Sequence, residues 1–117
     1  MMDGAPMDEA PIASYGEFWP FYLRQHARPA TRAWHYLGTT LTLLCIAYAM
    51  LAERLWLLPA VLVAGYGPAW IGHFWVERNR PATFRYPLWS LVSDFRLYAT
   101  WLSGRLPSEL QKAGLPR

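Results

Sequence analysis

An all-α integral membrane protein, a hairpin of two transmembrane helices flanked by amphipathic, interfacial helices, is the fold class this sequence predicts. Residues 33–52 contain no Asp, Glu, Lys or Arg, and after Glu53 and Arg54 the stretch 55–76 is again free of all four. Twenty such residues make a helix of about 30 Å, the thickness of a bilayer's hydrocarbon core. Composition agrees: hydrophobic residues make up 54% and charged residues 16%, below the quarter usual in soluble domains.

Taken in order, residues 1–13 mix Gly, Pro, Met and acids without periodicity and read as a disordered tail. They carry Asp3, Asp8 and Glu9 and lack the basic start and apolar core of a secretory signal. Ser14 and Glu17 have capping-box spacing and start an amphipathic helix over roughly 15–28. It puts Phe18, Tyr22 and Gln25 on one face and is expected at a membrane interface. Pro29 ends it. The first crossing follows. The second is interrupted by Pro59, Gly65, Gly67, Pro68 and Gly72, small or kinking residues of the kind that mark close helix contact in membranes. Pro87 opens a third helix, about 88–103, whose Asp94 and Arg96 argue against a full crossing. Residues 14–104 thus form one membrane-embedded domain, and 105–117 a short C-terminal tail.

Arg24, Arg28 and Arg32 precede the first span and Arg78, Arg80 and Arg85 follow the second, which places both termini in the cytoplasm. The net charge of +3 rests on ten arginines and one lysine, too few and too scattered for a nucleic-acid groove. The single cysteine, Cys45, excludes an internal disulfide and a Cys-based zinc site.

The three histidines carry the chemistry. His35 lies about 18 residues before the hairpin turn and His73 about 19 after it, so both return to one depth after climbs of about 28 Å. His26 comes from the juxtamembrane helix on that side. Glu77, four residues after His73, shares its helical face, and Asp94 is a further carboxylate that can come within reach. Each histidine alone reads as an interfacial or hydrogen-bonded structural residue; their shared layer is what points to a metal or cofactor, and spacing alone leaves both readings open. Imidazoles with a carboxylate and no thiolate suit iron, zinc, copper or nickel; a haem held by His35 and His73 is the alternative. The basic loop obeys the topology rule, and its arginines also match a carboxylate. Trp70, with the other tryptophans and tyrosines, is expected in an interfacial belt. Asn79 is expected to make a turn or a helix-end hydrogen bond.

Three segments are similar to motifs of the Mpo-like family of small membrane proteins. They are His26-Ala27-Arg28-Pro29-Ala30-Thr31-Arg32-Ala33-Trp34-His35-Tyr36-Leu37-Gly38-Thr39, the stretch Gly72-His73 to Phe84, and Tyr86-Pro87-Leu88-Trp89-Ser90-Leu91 with Ser93-Asp94-Phe95-Arg96. The resemblance runs from about Glu17 to Gly104. It implies an iron(II)-dependent dioxygenase that uses O2 to shorten a 2-hydroxy fatty acid by one carbon. It also implies that His26, His35 and His73 hold the iron, with Glu77 as a fourth ligand or an orienting group. Arg32, Arg78 or Arg80 would hold the substrate carboxylate, with the acyl chain between helices in lipid. Fungal relatives are longer, so a second copy of the chain is one way to complete the pocket. The Arg-, Ala- and Pro-rich composition points to a bacterial inner membrane; a eukaryotic relative would lie in the endoplasmic reticulum. The reading from another class is a non-enzymatic membrane protein, either a bis-histidine haem carrier or a lipid-binding scaffold.

Overall fold

The structure, a computed structural model, describes residues 11–116. Five α-helices occupy most of the chain: α1 (Tyr15–Arg24), α2 (Pro29–Leu51), α3 (Pro59–Ile71), α4 (Pro87–Leu102) and α5 (Leu106–Lys112). No strand occurs among the described residues. A 3₁₀ turn, Leu55–Leu57, leads into α3, and a π-helical segment, Gly72–Glu77, continues it. The tail expected over 1–13 falls mostly outside the described residues. Of the rest, Ile12 donates its backbone N–H to the Tyr86 hydroxyl.

The two expected spans are present. Pro29–Leu51 and Leu55–Glu77 are each 23 residues long and apolar enough to cross a membrane by length and composition. They pair as an antiparallel hairpin. Its turn closes with Arg54 N–H on the Ala49 carbonyl and Glu53 N–H on the Met50 carbonyl, with Glu53 at φ 54°. This is the doubly bonded helix ending that usually employs glycine.

Backbone proximity holds the hairpin together. A Cβ on Gly38 would lie 2.6 Å from the Gly65 carbonyl oxygen, and one on Gly65 would lie 2.6 Å from Thr42 Oγ1. At Gly72 the same atom would meet Trp34 Cβ at 3.1 Å and the Thr31 carbonyl at 3.2 Å. Small residues therefore let α2 and α3 touch along their length, the packing available to helices without a hydrophobic drive between them.

The conventional core lies elsewhere. Phe18, Trp19, Tyr22 and Leu23 of α1 pack with Leu97 of α4 and with Leu106, Leu110 and Ala113 around α5. The apolar stripe of α1, expected to rest on an interface, is thus covered by protein. Helix α1 also ends earlier than expected, at Arg24, because His26 turns back with its N–H on the Leu23 carbonyl. Pro29 opens α2 at its first turn. The segment 105–117, expected as a tail, contains α5: Pro107 sits in the first helical turn, where its missing N–H costs nothing. That helix is latched to α1 by Trp19 Nε1, which donates to Glu109 Oε1 at 2.8 Å, and Arg96 lies 4.1 Å over the Trp19 ring.

Gly38→Ala should cost about 1–3 kcal/mol through overpacking, read as a lower melting temperature in detergent. Gly16→Ala, at a helical site whose nearest neighbour would be Ser14 Oγ at 3.9 Å, should raise stability by about 0.5–1 kcal/mol.

Candidate metal centre

The turn after α1, the first third of α2 and the π-helical segment deliver His26, His35 and His73 to one point. All three are buried, at 1%, 5% and 2% exposure. His35 Nε2 lies 2.9 Å from His26 Nε2 and 3.1 Å from His73 Nε2. The ligand-capable atoms of the three rings all lie within 4.8 Å of one another. Their planes stand nearly perpendicular, at 79°, 74° and 88°.

The outer nitrogens decide what the inner ones can be. His26 Nδ1 sits 2.7 Å from the Tyr22 carbonyl, which only accepts, so that nitrogen carries the proton. His73 Nδ1 sits 2.6 Å from Asn79 Oδ1. The Asn79 amide is oriented by its Nδ2, which donates to the Gln25 carbonyl and to Gln25 Oε1. His35 Nδ1 faces Asp94 Oδ1 at 3.6 Å, and Asp94 in turn accepts from the Tyr22 hydroxyl at 2.6 Å. With the protons of His26 and His73 held at Nδ1, their Nε2 lone pairs point inward in a buried space, 2.9 and 3.1 Å from His35 Nε2. A cation placed among the three nitrogens could be held by all of them.

The residues fit such an ion. Two nitrogens about 2.1 Å from one metal and at right angles to each other lie about 3.0 Å apart, which matches both short separations. Burial, reinforced by His35 and His73, pushes the pKa of His26 well below the ordinary histidine value, which keeps it in the neutral form a metal requires. The chamber beside the rings has an empty volume of about 240 Å³ counted to its open side, of which about 10 Å³ admits the centre of a water-sized guest. It adjoins an apolar cavity of about 140 Å³ between α2, α3 and α4, lined by Thr39, Thr42, Val61, Leu62, Gly65, Leu91 and Phe95. His35, Tyr66, Ala69 and Asp94 line both spaces.

The other expected site residues lie apart from this cluster. Glu77 Oε1 accepts from the Arg28 backbone N–H at 3.0 Å and from Thr31 Oγ1 at 2.7 Å. It therefore caps the start of α2 and is not among the clustered ligand groups. The buried Arg32 uses Nη1 on the carbonyls of His26 and Ala27, at 2.8 and 2.9 Å. Arg78 and Arg80 are exposed. None of these three arginines lines either space.

Four residues beyond that expected set complete the site. Asn79 was expected to make a turn or a helix-end hydrogen bond. Arg78, at φ 61°, swings Asn79 back so that its N–H reaches the His73 carbonyl at 2.9 Å while its side chain holds the ring. Tyr22 holds His26 directly through its carbonyl and holds Asp94 through its hydroxyl, while Gln25 acts through Asn79. Asp94 faces His35. Around metal-bound histidines, such acceptors fix tautomer and ring direction.

The model of the family described as 2-hydroxy-palmitic acid dioxygenase Mpo1-like matches residues 12–106. The chain belongs to this family. No curated protein and no solved structure matches it. The matched stretch contains all three histidines of this Mpo1-like protein, together with Asn79, Asp94 and every residue lining the two spaces.

His35→Ala should abolish stoichiometric metal binding while the α1–α4–α5 core keeps the protein folded. Asn79→Ala should weaken metal affinity by about 10–100-fold. Glu77→Gln should retain metal and lower the melting temperature. Elemental analysis and thermal melts distinguish the three.

Proposed function

We propose that this Mpo1-like protein is an iron(II)-dependent dioxygenase that removes the carboxyl carbon of a 2-hydroxy fatty acid. The observation that carries the reading is the joining of three clustered, buried imidazoles to an apolar cavity through a shared wall. The family description supplies the reaction class and the fatty-acid substrate class. Iron, when bound, would supply oxygen activation. The electron count is self-contained: oxidation of R–CH(OH)–COOH to R–COOH and CO2 releases four electrons, one O2 takes up four, and one water is formed. No further reductant is needed.

The chain's own residues would do the rest. Asp94, Asn79 and the Tyr22 carbonyl hold the three rings in place. The cavity's apolar walls would take the acyl chain nearest the head group. Two features favour insertion of the hairpin in a bilayer. Only 28% and 11% of the two apolar windows are buried, unlike the core helices of a soluble protein. Leu44, Leu51, Leu62 and Val63 are exposed at 61–86%, which lipid would cover. The arginine-bearing ends of the hairpin, and with them the iron site, would then face the cytoplasm.

The haem reading fits less well. Nitrogens on opposite faces of one iron are about 4 Å apart, twice a metal–nitrogen bond, with a macrocycle between them. His35 and His73 approach to 3.1 Å, and the chamber has no room for a porphyrin. A lipid scaffold leaves the clustered, buried imidazoles without a reason.

The test is a turnover assay on protein purified in detergent and loaded with ferrous iron under anaerobic conditions. On admission of air, 2-hydroxyhexadecanoic acid should yield the acid one carbon shorter and CO2, with one O2 consumed per product. His35→Ala should be inactive. Iron binding without oxygen uptake on any 2-hydroxy acid would overturn the proposal.

A further inference from the structure

Two donors at the metal chamber have nothing in the protein to donate to. The indole Nε1 of Trp70 and the hydroxyl of Ser90 are both buried without a hydrogen-bond partner, and both residues line the chamber that holds the three imidazoles. Neither is a loosely placed group. Ser90 is 2% exposed, and the Trp70 ring is fixed between Tyr66, at 5.6 Å, and Phe84, at 5.2 Å. A serine inside a helix usually satisfies itself on the carbonyl four residues back, as Thr100 does on Arg96 at 2.6 Å in the same helix. Ser93, one turn on, spends its hydroxyl on Tyr15. Ser90 does neither.

We propose that Trp70 and Ser90 hold the carboxylate of the 2-hydroxy acid at the metal centre, an assignment that rests on the function proposed above. An indole N–H only donates, so its partner must be an acceptor. Charge names the acceptor's sign. Among the described residues, Asp94 is the sole carboxylate lining the chamber; with three neutral imidazoles and a divalent ion, one positive charge remains for a monoanion to balance. No arginine among the described residues lines the chamber, so neutral donors and the ion are what the site offers a carboxylate; Tyr66 and Thr83 line it too, and Trp70 and Ser90 are the two whose buried donors have no partner. The acyl chain would pass Tyr66 and Ala69, which line both spaces, into the apolar cavity.

The experiment compares Trp70→Phe and Ser90→Ala with wild type, each full length in detergent and loaded with Zn(II) so that no turnover occurs. Calorimetry measures 2-hydroxyhexadecanoic acid against 1,2-hexadecanediol, which has the same chain and hydroxyl but no carboxylate. Each variant should keep its metal content and melting temperature, bind the acid about tenfold more weakly, and bind the diol as wild type does. With iron, KM for the acid should rise by the same factor. Equal losses for acid and diol would assign the two residues to packing, and unchanged acid binding would assign the donors to a buried water; either result overturns the inference. If wild type itself prefers the diol or binds neither, the proposed function falls and takes the inference with it. Ser90→Ala alone carries the test if Trp70→Phe does not fold.

Discussion

Three imidazole rings brought to one buried point, with nitrogens 2.9 and 3.1 Å apart, form an arrangement that does not hold itself together. The structure is organised around holding it. Each ring is pinned from behind by an acceptor on a different element: the Tyr22 carbonyl in α1, Asp94 in α4, and Asn79 in the loop after the π-helical segment. Those acceptors are themselves held. Tyr22, whose phenol is pushed above its ordinary pKa by burial and by the charge of Asp94, remains a donor to that carboxylate. Asn79 is clamped by Gln25. The outer helices therefore set the direction of the site even though they supply none of its inward nitrogens beyond His26.

This gives the two packing modes separate tasks. Close backbone contact at Gly38, Gly65 and Gly72 sets the distance between the helices that carry His35 and His73. The aromatic core of α1, α4 and α5 fixes the layer that carries His26 and its supports. One mode suits a nonpolar surround, where burial drives nothing. The other is ordinary hydrophobic assembly.

The convergence of the histidines was legible because it depends only on helix rise and on folding back, both of which show in the charge pattern. The supports were not, because they depend on local departures from the α-helix. Glu77 at four residues from His73 reads as a facing partner on an α-helix, but this stretch is π-helical and wider, and it carries the carboxylate to Arg28 and Thr31. Asn79 reads as a turn former until Arg78 adopts a left-handed conformation that no composition announces. Trp70 reads as one member of an aromatic belt, and only the buried indole nitrogen sets it apart. Helix α5 was obscured by Gly104 and Pro107, residues that mark a loop in most contexts and here delimit a helix.

The cap that Glu77 places on Arg28 and Thr31 ties the end of the second long helix to the beginning of the first. The open end of the hairpin is thereby stapled by a bond that involves no metal. A scaffold closed in this way gathers its three imidazoles through bonds of its own chain, so the geometry of the cluster is a property of the fold.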